Sequence, residues 1–134
     1  MKYLLDTNIC VHFFRKKFGV SEKLEAAKAE KCAISEITLA ELVFGAENSK
    51  NPKKNHRIIE QFVELVTVLP IYDAILLYGK EKARLRKAGT MISDLDLFIG
   101  CTAISNDLIM VTENQGEFRR ITGIKLENWV DRNQ

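Results

Sequence analysis

Asp6, Glu41, Asp96 and Asn114 are the residues of this chain whose types and settings could do chemistry. Asp6 follows the apolar run Tyr3-Leu4-Leu5 and precedes Thr7-Asn8. Glu41 lies in Ile37-Thr-Leu-Ala-Glu41-Leu-Val-Phe-Gly-Ala46, a stretch apolar nearly all round on helical spacing. Asp96 lies in Ser93-Asp-Leu-Asp96-Leu-Phe-Ile-Gly-Cys101, also apolar on most sides. Asn114 belongs to Thr112-Glu113-Asn114, a polar cluster directly after the apolar Ile109-Met110-Val111. An ionised carboxylate is almost never buried without a partner, so acids in apolar settings ask for an explanation.

Each has an ordinary explanation. Asp6 or Thr7 caps the next helix. Glu41 occupies a narrow exposed stripe, or points at something positive. Asp96 serves a capping box with Ser93 three residues before it. Thr112 and Asn114 supply turn chemistry. Asp94 is two residues from Asp96, faces elsewhere on a helix and is secondary. If Asp6, Glu41 and Asp96 converge, three like charges repel, and the site needs a cation or raised pKa values. Oxygen ligands without histidine or thiolate favour Mg²⁺ or Mn²⁺. Such an ion keeps waters, one of which can be activated against a phosphodiester.

These positions need elements to hold them. Tyr3–Leu5 reads as a buried strand and Ile9 to Arg15 as a short helix. A helical stretch opens at Val20, and Cys32–Ile34 reads as the second strand. Ser35 caps a helix over Glu36 to Asn48, and Pro52 stands in the first turn of the next. Ile58, Ile59, Phe62, Val63 and Val66 form the apolar face of that helix. Val66 to Leu69 is the third strand. Helices follow over Asp73 to Ala88, ended by Gly89, and over Asp94 to Asn106. Ile109 to Val111 is the fourth strand, Gln115 to Arg120 a helical turn, and Ile124 to Leu126 a weak final strand. Alternating strands and helices predict a parallel sheet covered on both faces. Asp6 and the Thr112–Asn114 cluster then share its carboxyl edge, where such folds bind ligands.

Composition narrows the classes. The 134 residues suit a single domain, 1–134, with no dividing linker. No apolar run spans a bilayer and no signal-peptide pattern opens the chain, so no membrane role and a cytoplasmic location are expected. Three dispersed cysteines, Cys10, Cys32 and Cys101, give neither a zinc pattern nor a disulfide framework. The net charge of +2 does not diagnose nucleic-acid binding. Basic clusters do occur, at Lys50–Arg57, Lys80–Lys87 and Arg119–Arg120, and read equally as solvated helix faces. Arg84, Arg86, Arg119 and Arg120 are the candidate contacts to a phosphodiester backbone.

The blocks Tyr3-Leu-Leu-Asp6-Thr7-Asn8, Ser35-Glu-Ile-Thr38-Leu-Ala-Glu41-Leu, Asp96-Leu-Phe-Ile-Gly-Cys-Thr-Ala103 and Val111-Thr112-Glu-Asn114 resemble the signature blocks of PIN-domain ribonucleases, and more narrowly of VapC-type toxins. The resemblance covers essentially the whole chain and rests on the order and spacing of the blocks together. It implies a three-layer α/β/α fold with a five-stranded parallel sheet and Mg²⁺- or Mn²⁺-dependent endoribonuclease activity. It also implies homodimerisation and a hetero-oligomer with an inhibitory VapB-like antitoxin. By position, Asp6, Glu41 and Asp96 match the family's acids, and Asp6 and Asp96 would be the most direct metal ligands. Asn114 matches a fourth position, often Asp, and brings no charge. Asn8 and Thr112 match supporting polar residues. The block Ala40–Ser49 resembles a subgroup that cuts initiator tRNA in the anticodon region. Competing classes are a receiver-type signalling domain, a haloacid-dehalogenase-like phosphatase and a PIN-like binding module without catalysis. The first needs paired acids after the first strand and the second Asp-x-Asp there. This chain has Asp6-Thr-Asn.

Overall fold

The computed structural model describes residues 1–134. β1 (Tyr3–Leu5) runs into α1 (Thr7–Phe14), and α2 (Val20–Ala27) follows. β2 (Cys32–Ser35) enters α3 (Glu36–Glu47) without a loop, and α4 (Pro52–Leu65) returns the chain to β3 (Thr67–Leu69). Next come α5 (Ile75–Ala88), α6 (Asp94–Ser105), β4 (Ile109–Val111), the short α7 (Gln115–Phe118) and β5 (Lys125–Glu127).

The strands form one sheet in the order β3-β2-β1-β4-β5, with every neighbouring pair parallel. The order reverses at β1. A crevice therefore opens beyond the carboxyl ends of β1 and β4, where the connections leave to opposite faces. Leu4 pairs in register with Ala33 on one side and Met110 on the other. This row packs against Leu85 of α5 and Leu97 and Ile99 of α6. The alternate residues Leu5, Ile34 and Val111 meet Ile9, Leu24, Leu42 and Phe62 from α1 to α4. Side chains alternate across a strand, so each short apolar run serves both cores. The result is the expected three-layer α/β/α arrangement.

Local chemistry sets the boundaries. α1 starts at Thr7, earlier than expected, because Asp6 is itself the N-cap. The helix expected over Asp73 to Ala88 is split into a 3₁₀ turn, Tyr72–Ala74, and α5. A further 3₁₀ turn at Ala29–Lys31 leads into β2 and had no sequence signal. β5 lies one residue beyond the expected Ile124 to Leu126. α6 is the central helix, with Leu97, Ile99, Gly100, Cys101, Thr102 and Ala103 all buried. A Cβ on Gly100 would meet the Cδ1 of Ile121. Glycine there lets the Ile121 side chain, in the segment after α7, pack directly onto α6. No helix is long and apolar enough to cross a membrane.

Candidate active site

Asp6 directly follows β1, and its N–H donates to the Val111 carbonyl at 2.9 Å, so β4 fixes its backbone. Its side chain is buried, at 7% exposure. Oδ1 accepts from the Thr7 N–H at 2.8 Å, as an N-cap oxygen does. Oδ2 accepts from the Thr112 hydroxyl, also at 2.8 Å. Thr112 follows β4, is fully buried, and donates its N–H to the Glu127 carbonyl at 3.0 Å. The same Thr112 Oγ1 accepts from the Asn114 N–H at 3.0 Å. Capping and turn chemistry thus both operate here, and they aim one carboxylate at the crevice.

Glu41 is half-buried on α3. Its Oε1 accepts from the Thr7 hydroxyl at 2.6 Å, and Thr7 Oγ1 lies 3.2 Å from the Thr38 hydroxyl. No basic side chain pairs with Glu41. Asp96 is half-buried in the first turn of α6. Ser93 caps that helix by accepting from the Asp96 N–H at 3.2 Å. The Asp96 carboxylate does not return a bond to the Ser93 N–H, so the capping box is only half made and the acid is left to the crevice.

The charges act on one another. Burial pushes the Asp6 carboxyl up to about 6, against the two hydrogen bonds from Thr112 and Thr7. The negative charges of Asp96 and Glu41 add to the rise. Asp96 is also raised, first by burial and then by Glu117 and Glu41, while the Ser93 hydroxyl opposes. The crevice therefore holds four acids: Asp6, Glu41, Asp96 and Glu117. As placed, no three carboxylate, histidine or cysteine side chains close tightly enough on one point to hold a metal ion.

Not every expected residue joins this group. Asn114 is exposed, and its amide donates to Glu117 Oε2 at 3.3 Å. Asn8 is exposed on α1 and makes no side-chain hydrogen bond to the acids. Asp94 turns away to the Tyr78 hydroxyl and Lys82, each at 2.9 Å. Arg84 forms a fork on the buried Glu81, at 2.9 and 3.0 Å, and donates to the Arg120 carbonyl at 2.6 Å. Arg120 donates to the Met91 carbonyl at 3.0 Å. Both of these arginines are engaged within the fold, whereas Arg86 and Arg119 are exposed and in no ion pair. Sequence reading missed Glu117 and the bridging roles of Thr7 and Thr38. The signal for Glu117 was its position three residues after Asn114, one helical turn away.

Fold and site together define an α/β protein with an acidic crevice at the carboxyl edge of its sheet. The family model described as PIN domain matches residues 3–124. Ribonuclease VapC2 of Haemophilus influenzae is 38% identical over 97% of this chain and 99% of its own. The tRNA(fMet)-specific endonuclease VapC of Shigella flexneri is 39% identical over 96% of this chain and 98% of its own. The crystal structure of DNA-bound VapBC from Salmonella typhimurium superposes with a TM-score of 0.90 at 36% identity, covering 96% of this chain and 98% of that one. The chain belongs to the PIN-domain family, among its VapC ribonucleases.

Proposed function

We propose that this protein is an Mg²⁺- or Mn²⁺-dependent endoribonuclease, the toxin of a pair with a VapB-like antitoxin, and that initiator tRNA is its substrate. The observation that carries this is four carboxylates in one crevice with no cationic side chain among them, one of them raised to about 6. The donors are all oxygen, which fits a hard divalent ion. Asp6 and Asp96 would hold it, with Glu41 and Glu117 at its border and Asn114 behind Glu117. When bound, the ion supplies Lewis-acid charge at the scissile phosphate and lowers the pKa of water.

The chain's own residues do the rest. Thr112 and the Thr7 N–H hold the Asp6 carboxylate in one rotamer. Thr7 holds Glu41 through Oε1 and leaves Oε2 to take a proton from the attacking water. Water would then add to phosphorus as the P–O ester bond breaks, the leaving oxygen taking a proton from solvent while Glu41 returns its own to solvent. The same uncompensated acids would attract a basic side chain of the antitoxin, as a guanidinium fork suits carboxylates. The exposed apolar residues Phe44 and Leu95 border Glu41 and suit the apolar part of such an arm. Exposed Tyr72, Ile75 and Leu76 suit a second copy of the chain.

RNA cleavage with Mg²⁺, with Mn²⁺ and with chelator tests the reading. Chelation should abolish cleavage and either ion restore it, and mapped RNA ends should fall in initiator tRNA. Cleavage in excess chelator would sink the metal reading, and no cleavage under any condition would favour a non-catalytic binding module.

A further inference from the structure

Beside the acids, α1, α3 and α4 enclose a cavity of about 330 Å³. Thr7 and Glu41 belong to its wall, so it is continuous with the acidic crevice. Val11, Phe14, Ile58 and Ile59 give it an apolar lining, and Arg15 and Lys54 stand at its edge. Both cations are exposed and in no ion pair.

Gly45 also lines this cavity. It lies inside α3, where glycine is a poor helix former. Its φ is not positive, and a Cβ built on it meets nothing within 4 Å. Neither backbone conformation nor close packing requires glycine here. What its missing side chain preserves is the open volume.

We infer that this cavity is a nucleotide subsite of the ribonuclease, holding one unstacked base of the RNA beside the phosphate to be cut, with Arg15 and Lys54 on the flanking backbone. The inference rests on the endoribonuclease reading and deepens it. The volume is at the lower end for small-ligand clefts, roughly 300–1,000 Å³, which suits one nucleotide. Proteins read single-stranded RNA by taking splayed bases against aromatic and apolar side chains. Two unpaired cations at the edge favour a polyanion over the basic arm of an inhibitor.

Asn55 supplies the means to read the base. The Ser49 hydroxyl donates its one proton to the Ala46 carbonyl at 2.6 Å, so it accepts from Asn55 Nδ2 at 2.8 Å. This fixes the amide orientation of Asn55, a residue of the cavity wall, and leaves its Oδ1 without a protein partner. It is an oriented acceptor for a donor on the base edge.

The test uses the full chain with Mg²⁺ and four short RNAs that differ only in the base beside the mapped cut. Wild type should prefer one base. Gly45→Leu fills the cavity and should lower kcat/KM on the preferred RNA about tenfold or more, chiefly through KM, the size of a lost base-stacking contact. Its unfolding temperature should equal or exceed wild type, since leucine is the better helix former. Asn55→Ala should level the preference. Lys54→Glu should weaken all four RNAs alike, as a phosphate contact does. A Gly45→Leu protein that keeps the wild-type rate and preference would overturn the subsite and leave the cavity to a protein arm. A wild type that cuts no RNA would overturn the endoribonuclease reading itself, which is a different result.

Discussion

Asp6 accepts two hydrogen bonds that favour its ionised form, yet its pKa rises from 3.8 to about 6. Burial and neighbouring charge therefore outweigh the bonds, by on the order of 3 kcal/mol at neutral pH. The sign follows from proton binding. Below about pH 4 the residue is protonated whether the chain is folded or not. Between about 4 and 6 the folded chain keeps a proton that the unfolded chain releases, so metal-free stability falls as pH rises through this window. Above it the full cost remains. Asp6→Asn should remove that slope, abolish cleavage, and leave stability in chelator at pH 7.5 equal or higher. Thermal unfolding across pH reads this, and a variant that kept the wild-type slope would contradict it. Glu117→Gln should retain cleavage at high Mg²⁺ but need about tenfold or more of the ion, the usual size of an outer-shell effect. A Mg²⁺ titration of the rate would show it, and an unchanged midpoint would remove Glu117 from the site. Asp6, Glu41 and Asp96 were legible because an ionised group in an apolar stretch is conspicuous. Glu117 was not, because α7 is short and polar and offers no such contrast.

The elements were legible where an apolar period was long or a cap was clear. Ser35 and Ser93 cap their helices as expected, and β4 occupies the expected Ile109–Val111. The α5 boundary failed because a three-residue 3₁₀ turn is too short for its own period to show beside an α-helix. The basic face of α5 was legible as charge but not as structure. Arg84 is drawn to Glu81, a buried carboxylate that also accepts from the Thr122 N–H at 2.6 Å. This joins α5 to the segment after α7. Arg84 and the Thr122 N–H hold Glu81 down to about 2. Its contribution to stability is present above the ordinary value of 4.5 and is lost as pH falls from there toward 2. Arg84→Ala should lower the unfolding temperature and leave the salt dependence of RNA binding alone. Arg86→Ala and Arg119→Ala should do the reverse, each reducing the salt slope by about one. Unfolding and salt-titrated binding of the three variants separate the roles, and a reduced salt slope for Arg84→Ala would return it to the RNA.

At the scale of the whole molecule, the first strand lies at the centre of the sheet and the last strand at its edge. Sequence pattern predicted the layers, but not which distant strands flank Asp6, because pairing partners leave no periodic signal. That placement decides the site. Asp6 depends on Thr112, 106 residues further on. Thr112 in turn depends on the Glu127 carbonyl in β5.

This order has a consequence for synthesis on the ribosome. Asp6 and Glu41 are translated early, but a nascent chain that has not yet emerged past Thr112 has nothing to aim Asp6, and one short of Phe118 has no α7 to bring Glu117. Translation thus makes a ribonuclease that is disarmed until Thr112 and α7 are in place, so the ribosome producing it works beside a harmless intermediate. Stalled chains ending before Ile109 should cut no RNA, whereas the same messages read to the end should release active protein.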